Sequence, residues 1–258
     1  MASTITKYVS DLGGNRQWQD HIPPISIIIA SFVFFVGTFM AMYLYTPNGG
    51  YNFADQFFSE LGVRSDYVDP DTSETVFAPN DPEIFNYTLL FTGYVSLAFF
   101  PFTWRQMRND SSISKFFFGL AIMFGTLAGP VLVGVGLIDL SVEETARITD
   151  HHFWAALLYL FIALTSLFWL LGLFKAEHLP YKKDAWGMKL EYFYLAIYIA
   201  IVIFNLVVSI FDLNIDNISG INTLSIEGYQ KVMAYMFFLY FFYVGMKLAR
   251  EKYDNTPV

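Results

Sequence analysis

The chain has 258 residues, of which 55% are hydrophobic and only 15% charged, and its mean hydropathy is +0.44. A soluble domain of this length carries more charge, and a net charge of −8 argues against a nucleic-acid partner, which would need a basic patch. The absence of cysteine excludes disulfides and thiolate metal sites.

Six apolar blocks follow one another, at about 24–45, 84–103, 116–138, 152–174, 191–211 and 230–249. A bilayer core ~30 Å thick needs ~20 apolar residues as helix. Within lipid, every backbone N–H and C=O must be paired inside its own segment. The alternating pattern of a membrane barrel is absent, and no block has the charged face of a soluble amphipathic helix. The expected fold class is therefore all-α: a polytopic membrane protein, one domain over 1–258, formed by a bundle of six transmembrane helices. The first block follows a polar stretch and precedes no small-residue cleavage site, so it reads as a retained span, with Pro23 and Pro24 at its start.

Lysine and arginine set the orientation. Twelve of the 15 lie at the two ends of the chain or in the connections between blocks two and three and blocks four and five; only Arg64, Arg147 and Lys231 lie on the other side. The positive-inside rule places both termini in the cytoplasm. Fifteen of the 23 acidic residues then fall on the outer side, more than half of them in the first outer loop.

That loop, 46–83, is the longest connection. It opens with a Pro-Asn-Gly-Gly turn at 47–50. Phe53, Phe57, Phe58 and Leu61 follow at i, i+4, i+5 and i+8, and Gly62 is a natural stop. This spacing predicts a short amphipathic helix on the outer surface of the bundle or in the headgroup layer. Residues 66–83 are polar and proline-punctuated and read as loop. In block two, Thr88, Thr92 and Ser96 make a polar stripe with Asn86 at its outer end. Block three carries Gly125-x-x-x-Gly129 followed by Pro130, with further glycines at 119, 134 and 136. Small residues let backbones approach, so this helix is expected at the centre of the bundle. Pro130 removes the bond to Thr126 and is expected to kink it.

His151 and His152 head block four, with Thr149 or Asp150 as N-cap. Helical neighbours are ~100° apart, so one imidazole at most faces a given point. His152 shares a face with Ala155, Ala156 and Tyr159 and is the favoured one. In block five, Asn205, Ser209 and Asp212 fall on one stripe running outward. Polar groups at the hydrocarbon boundary need partners of equal depth. The sequence thus predicts an outer pocket drawn from Glu60, Asn86, Asp139, His151 or His152, Asn205, Ser209 and Asp212. No cofactor is predicted. A metal held by His151 or His152 with Glu60, Asp139 or Asp212 is the minor alternative, since His21 and His178 lie on the inner side. No Gly-x-Ser-x-Gly, phosphate loop or His-Glu-x-x-His is present, and no catalytic residue is assigned.

The run "YNFADQFFSELGV" followed by "IFNYTLLFTG", and later "GPVLVGVGLIDLSVEETARITDHHFWAAL", resembles an uncharacterised prokaryotic family of six-helix membrane proteins. That family is distantly similar to the DRAM/FRAG-like group, which includes GPI-lipid-remodelling proteins. The resemblance implies that Ser59, Leu61, Gly62, Asn86 and His151 or His152 matter, and it implies a prokaryotic plasma membrane. The leading expectation is a protein that binds or remodels a lipid or lipid-linked molecule at the outer leaflet. A small-solute or ion permease and a non-catalytic assembly subunit, with a membrane-protein partner or a second copy, are the alternatives.

Overall fold

The structure, a computed structural model, describes residues 18–53, 56–68, 75–107, 110–138, 151–176, 196, 199 and 226–254. Its helices are α1 (Trp18–Leu44), α2 (Pro82–Ser96), α3 (Phe99–Met107), α4 (Ser112–Leu137), α5 (His151–Lys175) and α6 (Ile226–Asp254). Five stretches are long and apolar enough to cross a membrane: Ile22–Leu44, Pro82–Trp104 (α2 with α3), Ser112–Leu137, Phe153–Lys175 and Lys231–Ala249. Their outward faces present Phe32, Phe39, Phe91, Phe116 and Phe174, a display suited to lipid and not to water. The chain is an integral membrane protein. Block 191–211 lies outside the described residues, apart from Ala196 and Ile199, both helical.

Proline accounts for the main departures from the expected spans. α1 begins at Trp18, ahead of Pro23 and Pro24, which lie inside it. The second span is broken at Leu97–Ala98. Pro101 has no N–H to offer the Leu97 carbonyl; at the same turn Gly93 O accepts from both Leu97 N at 3.3 Å and Ser96 Oγ at 2.9 Å. α4, by contrast, runs through Pro130 without interruption.

The first outer loop is more ordered than its polarity suggests. Gly49 and Gly50 take φ of 90° and 115°, a region that side chains avoid, and close a 3-10 turn over Pro47–Gly49. A second 3-10 helix spans Phe58–Gly62. Strands β1 (Tyr67–Val68) and β2 (Thr75–Val76) pair antiparallel, with Tyr67 opposite Val76, where a loop was expected. Asp66 accepts from Ala78 N at 2.7 Å, Asn80 Nδ2 donates to Thr46 Oγ1 at 2.7 Å, and Arg64 pairs with Glu83 at 2.9 Å on the exposed side.

α4 is the central helix, packed against α5, α2 and α3. Glycine is what brings it close. A Cβ at Gly129 would lie 2.8 Å from Leu97 Cδ2 and 3.0 Å from the Gly93 carbonyl; one at Gly93 would lie 2.7 Å from the Gly129 carbonyl. Gly125 lies beneath the Phe100 ring and Gly134 beneath Trp154. Elsewhere aromatic rings fill the core: Phe34 stacks on Phe238 at 4.2 Å between α1 and α6, and Phe241 meets Phe99 and Trp169 edge-on at 5.6 and 5.3 Å. In lipid no hydrophobic force drives helices together, so this close packing carries the association. Gly129→Leu should therefore destabilise the protein by about 1–3 kcal/mol. Gly119→Ala, whose new methyl meets Trp104 only at 3.6 Å, should leave stability unchanged. Thermal unfolding of both variants in detergent measures this, and wild-type behaviour of Gly129→Leu would contradict the packing.

Candidate functional site

The 3-10 helix Phe58–Gly62 does not lie on the surface as an amphipathic α-helix. It turns into the bundle against α2 and α6. Phe58 and Leu61 are buried, with the Phe58 ring stacked on Phe34 at 6.0 Å and tilted against Phe85 at 5.3 Å. The i, i+4, i+5, i+8 pattern that suggests an amphipathic helix comes instead from two rings left at the rim, Phe53 and Phe57, and two residues driven inward, Phe58 and Leu61.

Non-helical backbone is tolerated at membrane depth only when other groups satisfy it. Four side chains do so here. Asn86 Nδ2 donates to the Gly62 carbonyl at 3.0 Å. A Cβ at Gly62 would lie 2.3 Å from Asn86 Oδ1 and 3.0 Å from Phe85 Cδ1, so Gly62 and Phe85-Asn86 form one joint. Glu60, 8% exposed, accepts from Phe57 N at 2.8 Å and from Gln56 Nε2 at 3.0 Å, and Gln56 Nε2 also donates to Tyr45 OH at 3.1 Å. Lys231, at the head of the last span and fully buried, donates to Phe53 O at 2.5 Å and to Gln56 O. Its ammonium lies over the Tyr51 and Phe53 rings, 5.1 and 5.0 Å from their centroids. A buried cation is costly unless paired; carbonyls and ring faces supply the pairing. Tyr51 donates to Phe57 O at 3.0 Å. Burial first, then the Glu60 carboxylate, holds its phenol well above the ordinary tyrosine range, so it remains a donor. Burial likewise raises Tyr45.

Below this polar layer lies a mainly apolar cavity. Along α4 it follows Gly125, Ala128, Gly129, Leu132 and Val135, a run of about 15 Å at 1.5 Å per residue. Along α5 it follows His151, Ala155, Leu158, Tyr159 and Ile162, which is the i, i+4, i+7, i+8, i+11 face that begins at His151. Phenylalanines from α1, α2, α3 and α6 close the other sides. Ser59 and His151 stand at the outer end, and Ser96 lies deeper. His151 is 5% exposed, and its Nδ1 is 2.8 Å from Ile138 O. A carbonyl only accepts, so Nδ1 carries the proton and Nε2 is the basic nitrogen of the neutral ring.

The expected pocket is thus partly assembled and partly rearranged. His151 lines the cavity, on the helix phase that starts one residue before the favoured His152, whose side chain lies outside the described residues. Asn86 and Glu60 are turned to backbone and to Gln56. Thr88 donates to Ile84 O at 2.6 Å and abuts Gly37 of α1, so it is a packing group. Asp139, Asn205, Ser209 and Asp212 lie outside the described residues, as do Thr149 and Asp150. Among the described residues no three metal-ligating side chains cluster. Lys231 and Gln56 are absent from the sequence-derived pocket. The available signal is that Lys231 is a rare cation on the outer side, heading an apolar span.

These features define an integral membrane protein with a buried 3-10 turn above a mainly apolar cavity. Its chain belongs to the family described as "Protein of unknown function (DUF998)", whose model matches residues 28–245. Among curated proteins and among solved structures, none matches the chain.

Two mutational outcomes test this geometry. Gly62→Ala should cost about 1–3 kcal/mol through overpacking, and Asn86→Ala a similar amount by leaving the Gly62 carbonyl unpaired. Because Asn86 is the atom a methyl would strike, the double variant should be clearly less destabilised than the sum; strict additivity in thermal unfolding would separate the two residues. Lys231→Met should raise hydrogen exchange and protease cleavage in 51–63 while leaving 112–137 protected. Uniform loosening of both segments would mean that Lys231 supports the bundle and not the turn.

Proposed function

We propose that this protein binds the apolar chain of a lipid or lipid-linked molecule, entering from the outer leaflet, with the molecule's polar end at Ser59 and His151. The observation that supports this most is the long, mainly apolar cavity along α4 and α5, with Ser59 and His151 at its mouth. A solute or ion path would need polar groups along its length, and below Ser59 and His151 the described walls carry only Ser96 and Tyr159 among mainly apolar side chains. In this reading block 191–211 is a sixth span, both termini are cytoplasmic as the Lys and Arg distribution requires, and the membrane is the plasma membrane of a prokaryote. The resemblance to the DRAM/FRAG-like group agrees with a lipid ligand. Binding alone needs no catalytic group, and a cavity of this kind serves a carrier or sensor as well as an enzyme.

A diazirine-bearing alkyl chain, added to the protein in nanodiscs, should label peptides within 125–135 and 151–162. Leu132→Trp, which fills the space, should cut that labelling several-fold. Labelling confined to outward residues such as Phe116, Met123 and Leu127 would defeat the proposal.

A further inference from the structure

We infer that the cavity selects a lipid with an uncharged, hydroxyl-bearing end, a long-chain alcohol or neutral glyceride, over one ending in phosphate or carboxylate. This rests on the lipid-binding reading above and concerns which head the site accepts. The polar groups that line the cavity among the described residues are Ser59, Ser96, His151 and Tyr159. None is a lysine, arginine, aspartate or glutamate.

Among the described residues, the cations at the same end are engaged elsewhere. Lys231 directs its ammonium at the carbonyls of Phe53 and Gln56 and is enclosed by the Tyr51 and Phe53 rings. Arg64 is on the exposed side, paired with Glu83 at 2.9 Å. Glu60 is buried, and it adjoins Ser59 in the same 3-10 helix. A phosphate or carboxylate drawn in to Ser59 would lose water and find no lysine or arginine among the described residues that line the cavity. Each of these is unfavourable in a low-dielectric site. A hydroxyl has neither cost. It both donates and accepts, which matches a serine hydroxyl and an imidazole whose proton is on Nδ1.

Three photoreactive probes with one sixteen-carbon chain and one diazirine position, ending in hydroxyl, carboxylate or phosphate, separate head from chain. In nanodiscs at neutral pH, the alcohol should half-label the cavity peptides at a concentration at least about tenfold below that of the phosphate, with the carboxylate grouped with the phosphate. Equal or better labelling by either anion would overturn the head-group inference and leave chain binding intact. Cavity labelling by none of the three would overturn the lipid-binding reading itself. Ser59→Lys adds the missing cation and should narrow or reverse the alcohol-to-phosphate ratio. A folded Ser59→Lys protein with the wild-type ratio would also overturn the inference; the wild-type comparison stands without it.

Discussion

A helix satisfies its own backbone, whereas the segment that dips into this bundle cannot. Between Tyr51 and Gly62 the described backbone is not α-helical, and surrounding side chains answer several of its carbonyls one by one. Asn86 takes the Gly62 carbonyl, Lys231 takes those of Phe53 and Gln56, and Tyr51 takes that of Phe57. Glu60 supplies the opposite need, an acceptor for the Phe57 N–H. The buried charges and amides that first suggest a reactive site are therefore largely consumed in holding the turn. Its residue Ser59 is left at the cavity's mouth as a result.

This division explains the Ser-x-Leu-Gly and Phe-Asn pairing of the sequence. Leu61 and Phe85 are apolar anchors, Gly62 is the position where Asn86 leaves no room for a side chain, and Asn86 is the tie between loop and helix. Of these, Ser59 and Phe85 line the open space, and Ser59 is the polar one. A short motif here encodes a joint first and a binding surface second.

Much of the architecture is legible in composition. Spans come from runs of apolar residues, because lipid demands helices of a given length, and the glycines of 125–136 foretell the tight central helix. The outer turn resists such reading. Its hydrophobic spacing fits an amphipathic helix, yet pairing by distant side chains (Asn86 and Lys231) decides its conformation, and no local pattern carries that. Choosing His152 over His151 turns on a helix phase that one residue of uncertainty reverses. Lys231 reads as a rim cation since nothing in its neighbours announces the carbonyls that enclose it. Pro130 and Pro101 look equivalent in sequence, yet the helix is interrupted ahead of Pro101 and continuous through Pro130.

The two sides of the cavity differ in mechanical compliance. On one side α2 and α4 meet backbone to backbone at Gly93 and Gly129, and α4 is keyed to α5 by ring pairs such as Phe124–Phe168 and Phe117–Phe168. Main chain cannot yield without breaking helical bonds, so this wall is stiff. The other side is built from Phe34, Phe237 and Phe238 of α1 and α6, whose rings move by rotation about two single bonds. Any guest of changing girth is accommodated by that softer wall, and strain from filling the cavity is delivered to α1 and α6, the pair that also carries the turn's buried lysine.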